Sequence, residues 1–135
     1  MNNVENLPLR ALAHIGDAVY ELYIREKTVF IITKPEKLHK ITVSVVNAEF
    51  QAYLLDKINE FVTEEESEII RRGRNLTVTT SRRTNHKIHR LSTAFEALIG
   101  YLHLTDKNRL IELYKFIDEF VISKIEEFDI KEHQL

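Results

Sequence analysis

The 135-residue chain carries 19 Lys and Arg against 21 Asp and Glu, a formal net charge of -2, with 44% hydrophobic residues and no cysteine. Such a length fits a single domain spanning residues 1–135, and the missing cysteines exclude both a disulfide framework and a thiolate-metal site. Met1–Asn6 lacks the basic and apolar regions of a signal peptide, and no apolar run approaches the roughly 20 residues of a bilayer span, so a cytoplasmic protein without a membrane partner is expected.

Three Gly and two Pro are few for a strand-and-turn protein and ordinary for a helical one. Asn6 and Pro8 predict the start of a first helix, in which Leu12, Ile15, Val19, Leu22 and Tyr23 recur at helical spacing to about Glu26. The β-branched run Thr28–Thr33 has no evident strand partner and is read as a buried connection or helix end. Pro35 opens one long helix with a stripe of Leu38, Ile41, Val45, Ala48, Ala52, Leu55 and Ile58. Thr63 and Glu66 form a capping box, and the helix it starts is expected to stop near Gly73, a natural left-handed C′ residue. Asn75 to about His86 reads as an exposed loop. A strongly apolar helix follows from about Lys87 to Leu104, then Thr105 or Asp106 caps a last amphipathic helix to about Phe128, beyond which the chain frays. The fold class is all-α, with five or so helices.

Two segments do not suit a plain bundle. Gly16-Asp17 interrupts the apolar stripe of the first helix, although an interior glycine costs about 1 kcal/mol relative to alanine. Glu96 stands in the middle of the most apolar helix, between Phe95 and Ala97. A carboxylate that cannot avoid partial burial must be paired, protonated or bound to a cation. If their helices pack side by side, Asp17 and Glu96 can hold Mg²⁺, with Mn²⁺ substituting, through oxygen ligands and waters. Their plain alternative is an ion pair or a cap. Between residues 71 and 90 lie Arg71, Arg72, Arg74, Arg82, Arg83, Lys87 and Arg90, with no acidic residue. That run reads as a polyanion-facing side, the alternative being a solvated or partner-binding face. Together the two features point to a phosphodiester in a nucleic acid. Glu21, one turn after Asp17, is left open between supporting a metal-bound water and a plain surface role, and His14, one turn before, is read as structural and stays outside the catalytic set.

Ile15-Gly16-Asp17-Ala18-Val19 resembles the first signature helix of ribonuclease III domains, and Phe95-Glu96-Ala97-Leu98-Ile99-Gly100 resembles the second. Pro35–His39, Arg71–Asn75 and Ser92–Tyr101 are similar to the short Mini-ribonuclease III subfamily, which consists of the catalytic domain without a double-stranded-RNA-binding domain. The resemblance implies an all-α homodimer that lays an RNA duplex across a groove, one metal-assisted site per subunit cutting one strand. It makes Asp17 and Glu96 the essential acidic positions and implies maturation of large ribosomal RNA, with pre-rRNA as partner. Longer members carry further carboxylates where this chain has Ala13 and Thr93, so more coordination through water and weaker metal binding are expected. Arg71, Arg72, Arg74, Asn75, Arg82, Arg83 and Lys87 are assigned to RNA contact, neutralising phosphates with little base specificity. A non-catalytic RNA-binding relative would show the basic run without the acidic pair, and a helical protein-interaction module would have no use for Gly16-Asp17 and Glu96 inside apolar helices.

Overall fold

The computed structural model describes residues 3–31, 34–77 and 85–133. Among these the chain forms six α-helices: α1 (Leu9–Ile31), α2 (Leu38–Val46), α3 (Ala48–Lys57), α4 (Glu64–Arg74), α5 (His86–Thr105) and α6 (Lys107–His133). Short 3-10 turns lie at Val4–Asn6 and Pro35–Lys37, and no described residue is in a strand. No helix among the described residues is long and apolar enough to cross a membrane.

The apolar helix expected at the centre is there. Helix α5 buries Ala94, Phe95, Ala97, Leu98, Ile99 and Leu102 and packs against α1, α3, α4 and α6. Its largest interface is with α1, whose buried residues Leu12, Gly16, Tyr20, Ile24 and Thr28 recur every four positions. That stripe also explains why α1 outruns its expected end near Glu26. Thr28 extends the pattern, and its hydroxyl donates to the Arg25 carbonyl at 3.0 Å, so a β-branched polar residue is buried without an orphan group. Of the two readings of 28–33, the helix end holds where the structure describes it and the buried connection does not: Thr28 to Ile31 are the last residues of α1, and Val29 and Phe30 are 55% and 90% exposed. Ile32 and Thr33 lie outside the described residues.

Other boundaries also shift. Asn3, not Asn6, caps the opening turn, its Oδ1 accepting the Glu5 N–H at 3.0 Å, and Pro8 stands just before α1. The single helix expected after Pro35 is a 3-10 turn followed by two helices, because Asn47 leaves helical geometry at φ -71° and ψ 162°. Its Oδ1 accepts the Phe50 N–H at 2.9 Å and caps α3. The Thr63 capping box is present in both halves. Its Glu66 is additionally gripped by Arg109, with Nε 2.7 Å from Oε2 and Nη2 2.9 Å from Oε1, which ties the start of α4 to the start of α6. Asp106, one of the two expected caps, accepts the Arg109 N–H at 3.1 Å, and α6 then runs to His133 without ending near Phe128.

The glycines serve contacts between helices. A Cβ on Gly16 would lie 1.7 Å from the Glu96 carbonyl oxygen, and one on Gly100 would lie 1.9 Å from that of Leu12. Each glycine thus faces a carbonyl one turn away from the other glycine, and the two backbones touch. Gly73 is not the left-handed terminator expected. It is helical inside α4, where a Cβ would come within 2.5 Å of the Ala94 Cα, while Asn75 ends the helix.

Gly16→Ala and Gly100→Ala are each expected to lower folding stability by about 2 kcal/mol or more, because the obstruction is backbone and no side-chain rotation relieves it. Urea unfolding of the two variants measures this, and a loss below about 0.5 kcal/mol, the scale of a neutral surface change, contradicts it.

Candidate active site

The glycine crossing dictates which side chains meet. Gly16 rests on the carbonyl of Glu96, so Asp17, the next residue on α1, must lie beside the Glu96 side chain. The two carboxyl groups are within hydrogen-bonding reach of each other. Asp17 faces solvent, Glu96 is half-buried, and the Nε2 of Gln51 on α3 donates to Glu96 Oε2 at 3.4 Å. Burial first, and then the adjacent Asp17 carboxyl, push the Glu96 carboxyl up to about 8 against the opposing hydrogen bond from Gln51.

Two carboxylates forced together without a compensating cation are a charge deficit that a hard divalent ion would fill. Other protein donors are few. Ala13 is a buried methyl, and the Thr93 hydroxyl donates to the His89 carbonyl of its own helix at 2.8 Å. Among the described residues no group of three or more His, Cys, Asp or Glu gathers to hold a metal. The donor set fits an ion that keeps most of its waters, as Mg²⁺ does, and not one enclosed by protein. Glu21 pairs with Arg25 at 2.9 Å along α1, and no hydrogen bond or ion pair between described residues links Glu21 or His14 to the acidic pair.

The basic residues divide. Arg74 from α4 and Lys87 from α5 line a hollow of about 490 Å³ together with Arg90, Asp56, Ala52, Leu55 and Leu91. No ion pair ties these three cations to another described residue, so their charge stays available to an anion. In sequence Arg90 is one more member of the basic run, and its six-residue separation from Glu96 on α5 corresponds to roughly 9 Å of helix. Arg71 and Arg72 are exposed outside this hollow, Arg71 paired with Glu68 through an Nε–Oε2 contact of 2.9 Å. Asn75 is used as the C-cap of α4. Arg82 and Arg83 lie outside the described residues. Sequence reasoning missed Gln51, which it placed in the middle of an unbroken helix, and Arg10, whose Nη2 donates to the Thr77 carbonyl at 2.8 Å.

Residues 10–107 match the ribonuclease III domain family. The chain is 42% identical over 123 residues to a Mini-ribonuclease 3 of Thermosynechococcus vestitus, covering 89% of this chain and 80% of that one. It is 43% identical over 117 residues to a Mini-ribonuclease 3 of Gloeobacter violaceus, covering 87% of each. A crystal structure of a Fusobacterium nucleatum protein superposes with a TM-score of 0.76 at 29% identity, covering 89% of this chain and 98% of that one. Family, relatives and all-helical fold thus agree. The chain belongs to the ribonuclease III family of endoribonucleases, in its Mini-ribonuclease III branch.

The raised Glu96 carboxyl makes stability depend on pH in a definite sense. Its folded value, about 8, lies above the ordinary 4.5, so its stabilising contribution is full below 4.5 and lost as pH rises through about 8. In chelator-treated protein, the stability of the wild type relative to Glu96→Gln should therefore fall from pH 5 to pH 8. Urea unfolding at several pH values tests this, and a difference that stays flat or grows with pH contradicts it.

Proposed function

We propose that this chain is a metal-dependent endoribonuclease that hydrolyses phosphodiester bonds in double-stranded RNA, the whole of residues 1–135 acting as one catalytic domain. The observation that carries the reading is the juxtaposition of Asp17 with Glu96, in a chain that also has a hollow between α3, α4 and α5 lined by cations without an ion pair. Asp17 and Glu96 would hold Mg²⁺, or Mn²⁺ in its place. A divalent cation there supplies positive charge against the negative charge that develops on the phosphate, and makes water a better nucleophile. The protein's own contribution is placement. The glycine crossing fixes one carboxylate against the other, and the partial burial of Glu96 strengthens any charge interaction it makes. Arg74, Lys87 and Arg90 offer a seat for a backbone phosphate, and Arg71, Arg72, Asn75, Arg82 and Arg83 are assigned to RNA contact from the sequence. Phosphate contacts of this kind set register without reading bases, which suits a duplex recognised by shape. Precursor large-subunit ribosomal RNA is the substrate the subfamily resemblance implies, in the cytoplasm that a cysteine-free chain suits.

A homodimer belongs to the same reading. Along the side of α1 that carries Leu22, Tyr23 and Phe30, an open apolar groove of about 720 Å³ runs against Ile111 and Tyr114 of α6. Leu22 is 59% and Phe30 90% exposed, an arrangement that a second copy would cover. Leu22→Glu with Ile111→Glu is expected to give a monomer by sedimentation, and a variant that remains dimeric removes this face from the account.

The direct test is cleavage of an end-labelled RNA duplex with Mg²⁺, with single-stranded RNA as control. Asp17→Asn and Glu96→Gln should each abolish cutting while duplex binding persists. Lys87→Ala with Arg90→Ala should weaken binding and reduce the salt dependence of the affinity by about two charges' worth. Duplex binding without cutting under Mg²⁺ and Mn²⁺ alike would overturn the catalytic reading in favour of a non-catalytic RNA-binding relative.

A further inference from the structure

Helix α2 ends abruptly at Asn47, which strands the carbonyls of its last turn. Side chains take them up one by one. Asn47 Nδ2 donates to the carbonyls of Ser44 at 3.1 Å and Val43 at 3.4 Å, Tyr20 from α1 donates to Val45 at 2.6 Å, and Gln51 Nε2 donates to Val46 at 3.1 Å. A carbonyl only accepts, so the nitrogen of the Gln51 amide must be the end that faces Val46. The same nitrogen lies 3.4 Å from Glu96 Oε2, and one NH₂ group thereby bridges the end of α2 to the half-buried carboxylate of α5. Gln51 is 2% exposed, so water does not compete for these contacts. Anchored on a backbone carbonyl, the amide holds one oxygen of Glu96, while Asp17 meets the same carboxyl from α1.

We propose that Gln51 is a positioning residue for Glu96, fixing the plane of that carboxylate for the divalent cation. The inference rests on the metal-dependent reading above. Partners that orient a metal ligand typically contribute 10–100-fold to metal affinity. A residue that only capped α2 would contribute to stability and leave metal affinity alone.

Gln51→Met keeps the length and apolar body of the side chain and removes both donations. Mn²⁺ binding followed by electron paramagnetic resonance, without RNA, should weaken at least about tenfold in Gln51→Met at unchanged helical content. Cleavage by this variant should recover toward the wild-type rate as Mn²⁺ is raised. A Mn²⁺ affinity within twofold of wild type overturns the positioning role and leaves Gln51 as a cap of α2. If Gln51→Met does not fold, the side-chain NH₂ signals of Gln51 in wild-type protein decide by NMR. A shift on saturation with Mg²⁺ supports the role, and signals unmoved by saturating Mg²⁺ overturn it. Wild-type Mn²⁺ binding that Asp17→Asn and Glu96→Gln leave undiminished is a different pattern, which overturns the proposed metal site and this inference with it.

Discussion

The backbones of α1 and α5 meet at Gly16 and Gly100, each glycine lying against a carbonyl of the other helix. Helices normally pack 8–10 Å apart because side chains separate them. Here the spacers are missing at two positions one turn from each partner's contact, and the approach brings the first atoms of flanking side chains together as well. Asp17 beside Glu96 follows directly. A wider crossing would leave Glu96 as a carboxyl buried in an apolar helix with no partner across the interface, which is costly. Helix α5 is then held from its other sides by α3, α4 and α6, and Gly73 provides a second close contact at Ala94.

A second constraint operates where α2 breaks. The turn at Asn47 costs the helix its continuing hydrogen bonds, and three side chains restore them. Two of the three come from helices that also shape the acidic pair: Tyr20 from α1, packed edge-on against Phe95 at a ring separation of 5.2 Å, and Gln51 from α3. Stability and site geometry therefore share the same groups, and a substitution made for one is felt in the other. The Glu66–Arg109 pair does comparable work at the far end of α5, where Arg109 Nη2 also donates to the Phe61 carbonyl at 3.0 Å and its guanidinium lies 4.1 Å from the Phe61 ring.

Much of this was legible in the amino-acid order. The all-α class, the centrality of α5 and the Thr63 capping box follow from periodicity and from a local motif whose two halves are close in sequence. Asp17 and Glu96 stood out because each violates the rule for its surroundings, and the structure does bring them together. The misses have a common cause, since they turn on contacts between distant segments. The stripe from Leu38 to Ile58 carries no mark of the break at Asn47, because the stranded carbonyls are answered by Tyr20 and Gln51, and the latter points inward at Glu96. Gly73 matches a helix terminator by local chemistry, yet what demands a glycine there is Ala94, 21 positions away. Arg90 is set apart from the rest of the basic run by a hollow that residues of α3, α4 and α5 form with it, which sequence spacing does not encode.

The most direct test of the central claim, that the glycine crossing builds a two-carboxylate cation site, is the anomalous diffraction of crystals grown with Mn²⁺. The account predicts a peak between the carboxyl groups of Asp17 and Glu96, with most of the ion's remaining coordination from water and Gln51 still against Glu96. Carboxyl groups that have moved apart, or a manganese peak elsewhere with none between these two, would contradict it.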